Sequence, residues 1–136
     1  MLRLALPALA LLMSGCAMSA EEVERQAAAD ARTQAKLEKE LAGFTPGTPV
    51  NCIDPRGTNV EIFGDTLVYK SAGLRRYRVE TNGGCFGLRR DDIIVTRSFT
   101  GQLCRGDLVR TVDRTSGFPS GACSFGDFVP YTRSRG

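Results

Sequence analysis

Five cysteines are the residues of this chain best suited to do chemistry, and their surroundings divide them into one and four. Cys16 closes the segment Leu12-Met13-Ser14-Gly15-Cys16, in which an apolar run ends on two small residues and a thiol. Arg3 supplies a positive start, and the apolar stretch is too short to cross a bilayer and contains Pro7. This is the pattern of a bacterial lipoprotein signal. It predicts residues 1–15 as a signal peptide and Cys16 as the acylated first residue of the mature chain, carrying palmitate among its acyl groups. Ala17-Met18-Ser19 offers a competing cut to an ordinary secretory peptidase, which would leave a soluble secreted protein. Both alternatives predict export.

Cys52, Cys85, Cys104 and Cys123 are an even set in a chain bound for an oxidising compartment, which predicts two disulfides. Zinc is the other use of four cysteines. It favours closely paired ligands, whereas here the gaps are wide and there is no His, so no metal and no cofactor are expected. Of the three possible connectivities, a nested arrangement is expected, Cys85 with Cys104 and Cys52 with Cys123.

The absence of His removes Ser-His triads, His metal sites and His general bases, and disulfide pairing removes free thiols as nucleophiles. Carboxylate catalysis would need converging acids. Asp91 and Asp92 are adjacent and point to opposite faces of an extended chain, and with Asp107 they read as turn or strand-start residues. No catalytic residue is expected, and the chain reads as a non-enzyme. The densest basic feature is Arg75, Arg76 and Arg78 with Arg89 and Arg90, which a hairpin would bring together as a candidate anion-binding face. A solvated face, salt-bridged through neighbours such as Asp91 and Asp92, is the competing reading.

Such residues need elements to position them. Ser19-Ala20-Glu21-Glu22 is a capping box, so a helix is predicted from Glu21 to about Ala42, stopped by Gly43 ahead of Pro46. Its apolar stripe, Val23, Ala27 and Ala31 followed out of phase by Leu37, Leu41 and Phe44, is thin, which predicts a solvated tether about 30 Å long. A partly frayed linker is the alternative. After a hinge at Pro46-Gly47-Thr48-Pro49 come short β-type runs. A hairpin is predicted around Phe63-Gly64-Asp65-Thr66, a strand from Arg75 to Glu80 broken by Asn82-Gly83-Gly84, strands at 93–99 and 108–112, and a last one at 124–131 ended or confined to an edge by Pro130. Phe63, Phe99, Phe125, Phe128 and Tyr77 are expected in the core. The fold class expected is mainly β, a small disulfide-stabilised barrel or rolled antiparallel sheet preceded by an N-terminal helix. The divisions are 1–15 signal, 16–50 lipid-anchored helical tether and hinge, and 51–136 the β domain.

Charge follows the same division. Residues 51–136 carry 13 Lys and Arg against 9 Asp and Glu, while residues 17–50 carry 4 basic against 6 acidic. A basic excess in an exported domain favours an anionic envelope component or protein as partner, beside the membrane reached through the lipid anchor, and nucleic acid is not expected. Asn51-Cys52-Ile53, Thr66-Leu67-Val68-Tyr69, Cys85 with Leu88, Gln102-Leu103-Cys104-Arg105-Gly106-Asp107 and Gly121-Ala122-Cys123-Ser124-Phe125-Gly126-Asp127-Phe128 together resemble an uncharacterised family of small exported proteobacterial proteins, over about residues 50–131. Phe86 stands after Cys85 where many of those relatives would carry proline. The resemblance implies a disulfide-stabilised exported domain and transfers no activity. The expected role is structural or interactive, in the cell envelope on the periplasmic side of the outer membrane. Inhibition of a cell-wall enzyme is the alternative, since periplasmic lysozyme inhibitors are also small disulfide-bonded β barrels; a basic face suits cationic lysozyme poorly.

Overall fold

The computed structural model describes residues 18–133, so Cys16 and the expected signal at 1–15 lie outside the described residues. Helix α1 (Ala20–Leu41) begins at the capping box: the Ser19 hydroxyl accepts from the Glu22 N–H at 3.2 Å, and the Glu22 carboxylate accepts from the Ser19 N–H at 3.0 Å. The Ser19 N–H, and with it the Ser19 hydroxyl, which donates to the same carboxylate at 3.0 Å, hold the Glu22 carboxyl below its usual range. Gly43 ends the helix at φ +77°, a conformation that costs glycine least.

Among the described residues nine strands follow: β1 (Thr45–Pro46), β2 (Cys52–Ile53), β3 (Thr58–Phe63), β4 (Thr66–Ser71), β5 (Arg75–Gly84), β6 (Ile93–Thr96), β7 (Leu103–Cys104), β8 (Leu108–Val112) and β9 (Pro119–Thr132), with a 3-10 helix at Phe86–Arg90. The main sheet runs β3-β4-β5-β9-β8-β6, with β1 also on β9, and it curls into an antiparallel half-barrel. The mainly β fold with an N-terminal helix and two disulfides is therefore as the sequence predicts. The predicted hairpin forms too, with Phe63 opposite Thr66 across Gly64-Asp65.

The strand β9 departs most from expectation. It starts at Pro119 and is central, with β5 along one edge and β8 and then β1 along the other. Pro130 does not confine it to an edge. The Pro130 carbonyl accepts from the Gly47 N–H at 2.7 Å, so the ring nitrogen also faces away from β5 and removes no bond from that ladder. A bulge sets Gly126 and Asp127 against Glu80 alone, between the pairs Thr81↔Phe125 and Val79↔Phe128. The extra residue turns both Phe125 and Phe128 inward, where strict alternation would send one of them out. Their rings lie 5.3 Å apart, and Tyr69 stands 6.3 and 6.2 Å from them. Around this trio pack Ile53, Leu67, Val79, Leu88, Leu103 and Val109.

Glycine-rich Asn82-Gly83-Gly84 does not break β5, because the backbones approach closely there. A Cβ on Gly121 would stand 2.6 Å from the Gly84 carbonyl oxygen, so glycine permits the pairing. The last pairs, Gly83↔Cys123 and Gly84↔Ala122, bring Cys85 to Cys123. Elsewhere Cys52 and Cys104 stand directly opposite in the β2–β7 ladder. The disulfides are accordingly Cys52–Cys104 and Cys85–Cys123, interleaved along the chain. This corrects the nested pairing: residues 103–104, which lie between the strands predicted at 93–99 and 108–112, form a strand of their own whose partner is the segment of Cys52.

Three further expectations change. The segment read as a hinge is paired along β9, through Thr45↔Thr132, Pro46↔Tyr131 and the mutual bonds of Val50 with Phe128. The helix is not a wholly solvated tether either. Its Asp30, Thr33, Leu37 and Glu40, at helical spacing, face the convex side of the sheet: Asp30 meets Arg89 at 2.9 Å, Thr33 lies against Gly64, Leu37 is buried, and Glu40 meets Arg76 at 3.1 Å and Lys70 at 3.6 Å. Val23 and the alanines stay exposed. Phe99, expected in the core, is 95% exposed, because β6 ends at Thr96 and the chain leaves the sheet before reaching it.

The disulfides close segments of 52 and 38 residues, and constraining the unfolded chain to that extent stabilises by about 4 kcal/mol for each. Peptide mapping of the unreduced protein is expected to recover Cys52 linked to Cys104 and Cys85 linked to Cys123. Replacing Cys85 and Cys123 together by Ala should lower the unfolding free energy in a denaturant titration by about 4 kcal/mol. A Cys85–Cys104 peptide would contradict the β2–β7 ladder.

Candidate anion-binding site

Alternation along β5 separates the arginines of the sequence motif. Tyr77 and Val79 pack on the concave side, so Arg76, Arg78 and Glu80 face the convex side, and Arg75 stands in phase with Tyr77 at the first residue of β5. The five do not form one patch. Arg76 is held by Glu40 and lies 4.9 Å over the Phe44 ring. Arg78 donates from Nε to Glu80 at 2.9 Å. Arg89 bridges Asp30 and Asp65, each at 2.9 Å, and so joins α1 to the β3–β4 turn. Arg90 reaches the buried Asp92 at 3.4 Å. Arg75 alone of the five has no carboxylate within 4.0 Å among the described residues; its guanidinium donates to the Tyr77 hydroxyl at 3.3 Å.

Arg75 opens into a cleft of about 580 Å³ between the β4–β5 connection, the Asp54-Pro55-Arg56-Gly57 turn and the end of β9. Arg56 and Arg133 line it as well, and neither is in the arginine cluster of the sequence. Arg56 lies in a turn with Pro ahead of it and Gly after it, a readable turn signal that does not say what the turn faces. The carboxylate of Asp54 accepts from the Arg56 backbone N–H at 3.0 Å and from Nη2 at 2.7 Å. Arg133 donates to the Ala42 carbonyl at 2.7 Å and lies 4.4 Å over Phe44. The Asp54 carboxylate lines the cleft too and holds the Arg56 guanidinium, so Arg75, with the Tyr77 hydroxyl and Arg133 beside it, is the group placed to hold an oxyanion by charge-assisted hydrogen bonds.

The acids fall where the sequence suggests. Asp91 ends the 3-10 helix at φ +58°. Asp107 accepts from the Cys104 N–H at 2.8 Å, closing the turn into β8. Asp92 is buried beside the Thr111 and Ser120 hydroxyls, all three crowding the side of Gly87 where a Cβ would project. Glycine is required for that approach. Among the described residues no three His, Cys, Asp or Glu side chains cluster as metal ligands. No protein-family model, curated protein or solved structure matches the chain.

The hydrogen bonds from the Arg56 side chain, followed by that from its backbone, draw the Asp54 pKa down from 3.8 to about 2. A depressed carboxyl pKa means the pairing is fully present above 3.8 and is lost as pH falls through about 2. Carbon-detected NMR titration should place the Asp54 midpoint near 2, and Arg56→Gln should return it towards 3.8. An unchanged midpoint in that variant would remove Arg56 from the wall of the cleft.

Proposed function

We propose that this chain is a non-enzymatic cell-envelope lipoprotein with an interaction role, in which the cleft at Arg75 receives an anionic group of an envelope component or protein. The observation that carries the reading is the Arg75 guanidinium, which opens into a polar cleft beside Arg56 and Arg133 with no carboxylate within 4.0 Å among the described residues. Two disulfides fit an extracytoplasmic location, and the resemblance to small exported proteobacterial proteins points the same way. Lipid attachment at Cys16 rests on the Leu12-Met13-Ser14-Gly15-Cys16 segment, and the outer membrane is the expected destination.

The arginines divide by role on this reading. Arg76 and Arg89 hold α1 to the sheet, so changing them undocks the helix and does not report on binding. Arg75 reports on the cleft. Titration of the full chain with inorganic phosphate, followed by amide NMR, is expected to shift residues 72–75 and 132–133. The binding should be weak, fall as salt rises, and vanish in Arg75→Ala while the remaining spectrum is preserved. Phosphate shifts that persist in Arg75→Ala, or their absence from the native protein, would reject the cleft as the site. Acylation is tested separately: Cys16→Ala should abolish incorporation of labelled palmitate, and retained label would reject the anchor.

A further inference from the structure

The convex face of the sheet is covered on one side only. Helix α1 lies over β3, β4 and β5, whereas β6 and β8 are met by the 3-10 helix on the side of Thr111 and leave their other side exposed at Ile93, Val95, Leu108 and Arg110. Alternation sends Ile93 and Val95 of β6 and Leu108 and Arg110 of β8 outward, with Val95 directly opposite Arg110. Ile93, Val95 and Leu108 are 43%, 47% and 46% exposed. Val95 and Leu108 share a shallow depression of about 160 Å³ with Arg97 and Arg110. Two residues beyond Arg97, on the loop leaving β6, stands the fully accessible ring of Phe99. Aliphatic side chains grouped on one face beside an exposed aromatic mark a contact surface.

Charge decides what the surface fits. Asp127 is paired with Arg105 at 3.4 Å and Asp91 with Arg114 at 3.7 Å, while Asp107 and Asp113 accept from the backbone N–H groups of their own turns at 2.8 Å and at 3.0 and 2.7 Å and pair with no guanidinium among the described residues. Arg97 and Arg110 have no carboxylate within 4.0 Å among the described residues. The face therefore offers aliphatic surface, an accessible phenyl ring and two uncompensated guanidinium groups. An anionic bilayer surface complements all three, with phosphate oxygens for the arginines and the acyl boundary for the ring.

The geometry points to the β6–β8 face and the Phe99 loop as a docking surface for the anionic phospholipid surface of a membrane. Phe99 enters the boundary between head groups and acyl chains, Arg97 and Arg110 meet lipid phosphates, and Val95 and Leu108 close over the boundary behind them. This surface is separate from the Arg75 cleft and does not require acylation of Cys16.

The chain has no tryptophan, so Phe99→Trp in the full chain places a single reporter on the loop. With phosphatidylglycerol-containing vesicles its emission is expected to shift to the blue and to be quenched by brominated acyl chains. The readout is local, so an apolar or acylated N-terminus does not produce it. Arg97→Gln with Arg110→Gln, exposed positions whose loss leaves the fold and its disulfides intact by circular dichroism and peptide mapping, should raise the lipid concentration at half-shift at least about tenfold. Phosphatidylcholine vesicles should do the same to the native arginines. Emission unmoved by anionic vesicles would overturn the proposal, as would an equal response in phosphatidylcholine. A blue shift that depends on protein concentration without lipid would overturn it in favour of a second copy on this face.

Discussion

The structure depends on the pairing of one long strand on both its edges. The fourteen residues of β9 carry β5 along one side and β8, Val50 and β1 along the other, so the sheet has no route from its β3 edge to its β6 edge except through this strand. The bulge at Gly126-Asp127 matters as much as the length. It changes the phase of alternation at the point where the sheet must curl and delivers Phe125 and Phe128 to the same side. Without that phase change one of the two rings would face out and the aromatic centre of the core would be halved.

A domain this small has little apolar surface to bury, and cross-links compensate. Their placement follows from the strands. Cys85–Cys123 joins the exit of β5 to β9, and Cys52–Cys104 joins the entry of the β domain to the segment before β8. Because the two closed segments interleave, neither half of the domain can separate while both bonds are intact. Close backbone approach at Gly121 and Gly84 belongs to the same region, which fits its role as the most constrained part of the fold.

Local chemistry was legible in the sequence, and long-range pairing was not. The capping box at Ser19 and Glu22, the Gly64-Asp65 turn and the strands around Leu67, Tyr77 and Val109 follow from short-range patterns, and the structure has them. The docked face of α1 escaped because it is polar: Asp30, Thr33 and Glu40 surround a single buried Leu37, and apolar periodicity cannot detect ion pairs to another element. Asn82-Gly83-Gly84 read as a break because glycine is poor in isolated strands, whereas here it admits a neighbouring backbone. Pro130 read as an edge signal because the sequence does not say which side its nitrogen faces. Of the candidate site, Arg75 was visible from its cluster. Arg56 and Arg133 were not, since only the topology brings the two ends of the β domain to the β4–β5 connection.

A rigid, doubly cross-linked scaffold leaves its chemistry on the surface, at a cationic cleft at one end of β9 and an aliphatic and basic face over β6 and β8. Both depend on β9 holding the strands that carry them. Native-state hydrogen exchange tests that dependence most directly. The Phe125 and Phe128 amides, bonded to the Asp107 and Val50 carbonyls at 3.2 and 3.1 Å, should exchange only through global unfolding, while amides of α1 and of the β6 edge exchange through local opening. If the two β9 amides exchange well before global unfolding, or if α1 is protected as strongly as they are, β9 is not the element on which the fold depends.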